Sequence, residues 1–296
     1  MFFRPVSCPH CGAPVAEEQI GRSIITCGFC RGTFAPAGRA VYRAAFARAA
    51  KLAAERATPT LVLRGRAHEG VMELARSDRA VVFLARTVGP APERVVVKLF
   101  RDAMHAERDA SVLRRLAGSS AAGHEHFATR VANVAAHGVA EYGDLRAPAV
   151  SVRFRPGHLA NGDDVARAYQ DGIDGRAAVW IWRRLCEVLG FAHRSGLAHG
   201  RIDRSHAVVS SREHGVLLVG WSEARPATEE AIAADLAATA TLVRGLASSL
   251  PAELEAIASN SSTTDAWATG DAIGRAARAV YGPPAFHPLS LPPFRR

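Results

Sequence analysis

Glu93-Arg94-Val95-Val96-Val97-Lys98-Leu99-Phe100 is the stretch on which the fold turns. Its run of β-branched and apolar residues predicts a β-strand with one lysine near the end. That lysine is unusual: of 37 basic side chains only two, Lys51 and Lys98, are lysines. In a chain that uses arginine almost everywhere, a retained lysine supplies a compact, strongly hydrated charge on a flexible stem. Chance placement at a strand end, with the ammonium in water, is the plain alternative, and the flanking sequence weighs against it.

Upstream, Val71–Arg76 and Ala80–Arg86 flank Ser77-Asp78-Arg79 as a hairpin, and Gly89-Pro90-Ala91-Pro92 turns the chain into the Lys98 strand. Leu61-Val62-Leu63 reads as an earlier strand. Downstream, Ala103 to Ala117 has helical spacing, with Met104, Val112, Leu113 and Leu116 as apolar positions. Strand, strand, lysine-bearing strand and helix in this order resemble the N-terminal lobe of the protein-kinase fold. The resemblance implies that Lys98 holds nucleotide phosphates and pairs with a helix carboxylate. Glu107 and Asp109 are the candidates. They lie two apart, cannot share a helix face, and spacing alone does not choose between them.

The remainder follows the same order. Gly118 to Gly123 reads as a loop, and Val131–Val139 and Ala147–Phe154 as strands. Pro156-Gly157-His158 breaks the chain where a kinase passes through its hinge, and Asp163 is placed to cap the next helix. Val179 to Arg194 is a strongly amphipathic helix with Trp180, Leu185, Val188, Leu189 and Ala192 on one face. Cys186 lies in that stripe and reads as a small buried hydrophobe. Gly196-Leu197-Ala198-His199-Gly200-Arg201-Ile202-Asp203-Arg204-Ser205-His206 is similar to the kinase catalytic loop, and Gly215 to Ser222 to the strand that ends in D-F-G. The ordered match covers residues 60 to 250.

Within that resemblance the chemical groups are exchanged. His199 takes the family's histidine, but the catalytic aspartate falls on Arg201 and the metal-binding asparagine on His206. The D-F-G aspartate falls on Gly220, followed by Trp221 and Ser222. The glycine-rich loop is reduced to Arg76-Ser77-Asp78-Arg79, with no glycine. Phosphoryl transfer needs metal ions on the phosphates and a carboxylate to orient the attacking hydroxyl. Gly220 offers no metal ligand, and Arg201 places a guanidinium where an acceptor should stand. Asp203, two residues away, is the nearest substitute. Asp235 resembles the helix aspartate that braces the catalytic loop. Only about a dozen residues separate it from Ser222, too few for a phosphorylatable activation loop and a peptide-docking platform.

At the other end, Cys8-Pro9-His10-Cys11 and Cys27-Gly28-Phe29-Cys30 are two C-x-x-C knuckles with fifteen residues between them. Four thiolates suit tetrahedral zinc and leave no open coordination position, so Cys8, Cys11, Cys27 and Cys30 predict a structural site. Gly12 and Gly28 are expected to supply the turn backbone. The motif resembles a zinc ribbon over about residues 4 to 36.

A length of 296 residues and a hydrophobic fraction of 48% allow a mid-sized domain plus a small module. Net charge is +9, but the arginines are scattered rather than clustered, so nucleic-acid binding is not favoured. No apolar run is long enough to span a bilayer and the N-terminus lacks a secretion signal, which predicts a cytoplasmic protein with reduced cysteines and no membrane partner.

The expectation is an α+β chain: a zinc ribbon at 4–36, a connecting helix at 37–57, and a bacterial protein-kinase-like domain at 58–285. That domain has an N-lobe at 58–155 and a C-lobe at 156–285, followed by a proline-rich tail at 286–296, extended along the surface. The resemblance implies a pseudokinase, a regulatory or scaffolding module for a protein partner that the sequence does not name. Zinc is its structural metal. ATP is the nucleotide the resemblance offers to Lys98 with Glu107 or Asp109, and magnesium has lost its ligands. Two readings stay beside it: an atypical kinase or nucleotidyl transferase using a displaced carboxylate, and a nucleic-acid binder built on the ribbon.

Overall fold

The computed structural model describes residues 7–15, 19, 24–34, 60–260, 263–287 and 289–291. The expected connecting helix at 37–57 lies outside the described residues, as do parts of the expected ribbon and tail. The chain divides into two compact units, Met1–Thr58 and Pro59–Arg296.

In the first unit, β1 (Ile25–Thr26) and β2 (Thr33–Phe34) pair antiparallel and carry the second knuckle between them. Cys8 and Cys27 are buried, and Ile25 packs at 1% exposure.

The second unit begins with β3 (Leu61–Leu63), β4 (Arg66–Arg76), β5 (Ala80–Thr87) and β6 (Arg94–Phe100). After helix α1 (Ala103–Ala117) and a short helix α2 (His124–Phe127) come β7 (Val134–Tyr142) and β8 (Leu145–Arg153). The strand order β3-β4-β5-β6-β8-β7 closes into a barrel, because β3 pairs with both β4 and β7. The alternation of β6 explains the lumen. Val95, Val97 and Leu99 point inward with Leu61, Leu63 and Phe83, while Val96 and Lys98 belong to the other face.

That outer face carries α1. Asp102 caps the helix by accepting from the Met104 amide at 2.8 Å, and Arg114 and Arg115 sit in its last turn. Ala106, Asp109, Ala110, Leu113 and Leu116 form the buried stripe. Met104, expected among the apolar positions, is 67% exposed, because it lies on the solvent side of the first turn.

The helical lobe is built around α4 (Gly175–Arg194), which is capped by Asp174 and begins four residues before the expected start at Val179. Leu185, Cys186, Val188 and Leu189 are fully buried. Both of its tryptophans pack in the core as expected: Trp182 is buried, and Trp180, partly buried, packs against the same core and stacks on His214 at 4.6 Å. Preceding it are β9 (Ala160–Asn161) and α3 (Gly162–Ala168), whose cap is Asn161 and not Asp163. Asn161 accepts from the Asp163 and Asp164 amides, and Asp164 accepts from the Asn161 amide, a reciprocal capping box that Asp163, already inside the first turn, does not form.

After α4 the chain forms β10 (Leu197–Ala198), β11 (Ala207–Ser210), β12 (Gly215–Leu218) and β13 (Arg225–Pro226), then α5 (Glu229–Arg244), α6 (Ala252–Ser259) and α7 (Ala266–Tyr281). Helix α7 crosses α4 closely at Gly190, where a Cβ would lie 2.1 Å from the Trp267 ring. The described part of the tail is anchored rather than merely extended. Leu289 is buried, Tyr169 donates its hydroxyl to Ser290 O at 2.8 Å, and His214 Nε2 donates to His287 O at 2.8 Å.

Candidate functional site

The two knuckles are built alike. Cys8 N donates to Ala13 O and Gly12 N returns to Cys8 O; Cys27 N donates to Gly32 O and Arg31 N returns to Cys27 O. The left-handed residue closing each turn is Gly12 in the first (φ 71°) and Arg31 in the second (φ 58°). Gly28, expected to serve there, does not adopt that conformation, because the turn places its positive-φ residue after the second cysteine. All four Sγ atoms lie within 4.8 Å of one another. Cys8–Cys30 and Cys11–Cys27 are each 3.7 Å apart. A tetrahedron of zinc–sulfur bonds of about 2.3 Å separates its sulfurs by about 3.8 Å, so the donor set fits zinc. The backbone amides of Cys30 and Phe29 lower the Cys27 thiol to about 6, whereas, against the Ala13 amide, the neighbouring thiols raise Cys11 to about 12, because crowded sulfurs resist ionising together until a cation joins them.

The second site is the cleft between barrel and helical lobe, enclosing about 240 Å³. Its roof is the outer face of β5, β6 and β8; in the ladder Lys98 stands between Val82 and Val150. Lys98 Nζ lies 3.9 Å from Asp109 Oδ1, and both line the cleft. Helix phase decides between the two candidate carboxylates. Asp109 joins the buried stripe of α1, whereas Glu107 turns away to His137 Nε2 at 3.1 Å.

The floor is the loop from His199 to His206 with the 3-10 turn that starts at Trp221. Asp235, on α5 and 1% exposed, accepts from the amides of His199 (2.7 Å) and Gly200 (2.9 Å) and meets His193 Nε2 at 3.1 Å. It braces the loop as expected. His199 Nε2 reaches Val219 O at 3.1 Å, and the Arg201 amide donates to Nδ1 at 3.4 Å. A carbonyl can only accept and an amide only donate, so both bonds require the neutral ring. Burial, with His206 nearby, accordingly lowers His199 to about 4.

Gly220 is left-handed (φ 85°), and a Cβ there would lie 2.2 Å from His206 Cδ2. The imidazole therefore fills the place a metal-binding side chain at 220 would need. Trp221 is fully buried, T-shaped against His199 at 4.5 Å. Burial alone would raise the Asp203 carboxyl, but His206, 2.8 Å from its Oδ1, and the Ser205 hydroxyl and amide pull it well below the usual carboxylate range. Arg201 Nε stands 3.7 Å from the other Asp203 oxygen.

A further contact was not visible in the sequence. Arg79, in the β4–β5 turn, bonds Glu223, and the same carboxylate oxygen stands 3.4 Å from His105 Nε2 on α1. The hairpin, α1 and the residues after Trp221 are thus tied together. No spacing rule links positions 144 residues apart. The only hint was a glycine-free turn, which suggests a fixed loop rather than a mobile one.

A barrel lobe with a Lys–carboxylate pair to a single helix, above a helical lobe whose buried aspartate braces a loop, is the protein-kinase fold. Among solved structures the chain is similar to the kinase domain of BubR1, with a TM-score of 0.56 and 9% identity, covering 82% of this chain and 93% of that one. It is also similar to the kinase domain of PknI from Mycobacterium tuberculosis, with a TM-score of 0.52 and 18% identity, covering 73% of this chain and 98% of that one. No protein-family profile matches the sequence, and no curated protein matches it. At these identities the likeness establishes the fold alone.

Proposed function

We propose that this chain is a pseudokinase: a kinase-fold regulatory or scaffolding protein that does not transfer phosphoryl groups. In this reading it works in the cytoplasm through a protein partner and carries a structural zinc ion on Cys8, Cys11, Cys27 and Cys30. The observation that carries the reading is the pairing of Gly220 with His206. Where transfer chemistry needs a carboxylate on magnesium, there is no side chain, and an imidazole occupies the space. Arg201 adds a cation that cannot act as a base near neutral pH. The short connection supports the same reading, because only residues 224–228 separate the turn at Trp221–Glu223 from α5. Too little chain remains there to seat a peptide substrate. ATP, if held by Lys98 and Asp109, is held without turnover.

The competing reading makes Asp203 a displaced catalytic carboxylate. Its carboxyl stays ionised, but the same low proton affinity makes it a weak base, and its oxygens already face His206, Ser205 and Arg201. Incubating the protein with γ-labelled and α-labelled ATP, in magnesium and in manganese, separates the two. No label should reach the chain or an added protein. Incorporation that disappears in Lys98→Ala and Asp203→Asn would establish an enzyme instead.

A further inference from the structure

Behind the connection between the lobes, three segments meet at one buried glycine. The 3-10 turn Ala128–Arg130 runs into Val131, which bridges β12 at Leu218 and so lays Arg130 beside that strand. In the connection itself, the left-handed Gly157 (φ 81°) precedes His158. Gly215 opens β12 and is buried. A Cβ there would lie 3.2 Å from His158 Nε2 and 3.4 Å from Arg130 Nη1. Both nitrogens therefore border the space where glycine leaves out a side chain. His158 also backs onto the cleft between the lobes, but Arg130 and Gly215 do not line it.

Neither nitrogen is satisfied. His158 is 5% exposed, and its Nε2 has no hydrogen-bond partner among the described residues. Its Nδ1 lies 3.3 Å from Pro156 O, which can only accept, so Nδ1 carries the proton and Nε2 is left as an acceptor. Arg130 makes no hydrogen bond or ion pair among the described residues, although two other arginines and two glutamates surround it. Arg155 takes Glu213 at 3.0 Å, and Arg184 takes Glu187. The guanidinium left over belongs to Arg130. Burial, with Arg184 and Arg155 nearby, lowers its pKa, the mark of a cation short of a counter-charge.

These two needs define the ligand. Arg130 calls for a negative oxygen, and His158 Nε2 calls for a hydrogen-bond donor. A carboxylate at neutral pH meets the first and opposes the second, because it carries no proton. A phosphate group meets both. Its second pKa is about 6, so it can keep one hydroxyl for Nε2 while its charged oxygens take the Arg130 fork. Burial first, then Arg155 and Arg130, hold His158 below its ordinary range against the Pro156 carbonyl and Glu213. The ring stays neutral, and the proton stays on the ligand.

We propose that Arg130, His158 and Gly215 form a phosphate-group site behind the connection between the lobes, taking the singly protonated anion. The site stands independently of the non-catalytic reading of the cleft.

The test is titration calorimetry of the full, zinc-loaded chain with inorganic phosphate and with capped phosphoserine, and sulfate as the proton-free comparison. Binding of both phosphate probes assigns the site to a phosphorylated protein segment; binding of inorganic phosphate alone assigns it to the free ion. The bound state holds one proton more than the free dianion. Affinity should therefore fall by up to about tenfold per unit as pH rises from about 6 to about 8, with proton uptake visible as buffer-dependent heat. Arg130→Gln should weaken binding at least about tenfold, about 1.4 kcal/mol. Gly215→Ala should also weaken it without altering charge, and serves should the first variant not fold. Arg212→Ala, an exposed arginine in the same hairpin turn, should leave it unchanged. No saturable binding of either phosphate probe up to about 10 mM, sulfate binding as tight as phosphate, or binding that persists in Arg130→Gln overturns the site.

Discussion

At position 220 a left-handed backbone and a neighbouring imidazole act together. Glycine adopts φ 85° without strain, and the absent side chain makes room for His206. Gly220→Asp therefore should not restore a metal site. Backbone strain alone costs on the order of 1–3 kcal/mol, before His206 is displaced. We expect a lower unfolding midpoint in urea and no magnesium binding by calorimetry. Adding His206→Asn should recover part of the stability by removing the clash. Full stability together with magnesium binding in the single variant would contradict this geometry. The sequence exposed this site only in part. It showed that Gly220, Arg201 and His206 stand at positions where other groups are required. That the histidine physically fills the vacated space depends on two segments meeting, which linear order does not encode. The choice of Asp109 over Glu107 was closer to hand: Leu113 and Leu116 lie four and seven residues beyond Asp109, on one helical face.

Among the elements, α5 carries the loop on which the cleft floor depends. Asp235 is buried and satisfies two amides of the His199 loop while meeting His193. Asp235→Ala orphans those donors at about 1–3 kcal/mol each, so a loss of about 3 kcal/mol or more is expected in chemical denaturation. A change below about 0.5 kcal/mol, the size of an ordinary surface substitution, would deny the brace. This element was legible because helix, loop and strand followed one another in a characteristic order. Its boundaries were less so. Helix α4 begins at Gly175 because Asp174 caps it, a signal outside the apolar stripe that defined the expected helix. Helix α3 takes Asn161 as its cap because β9 delivers the chain there in an extended conformation. The tail drew no packing expectation from its prolines, yet Tyr169 and His214 anchor its backbone through carbonyls, which no side-chain pattern reveals.

At the scale of the molecule, the strand and helix order was readable and the closure of the barrel was not. Leu61–Leu63 was visible as a strand, but only its double pairing with β4 and β7 makes a closed lobe. The four-cysteine unit was the most legible part, since two short knuckles specify their own chemistry. Removing zinc with a chelator should unfold that unit and make four thiols reactive, leaving Cys186 inert. Burial pushes the Cys186 thiol up to about 12 and closes it to reagents. Acid should release the metal as well, because falling pH protonates the thiolates. Rapid modification of all five cysteines in the folded protein would contradict this arrangement. The central claim is that the kinase-fold cleft performs no metal–nucleotide chemistry. Its most direct measurement is the relaxation of water protons by manganese titrated into the protein with ATP. The account predicts the signal of manganese–ATP free in solution, whereas an enhanced, protein-bound signal that is lost in Asp203→Asn would contradict it.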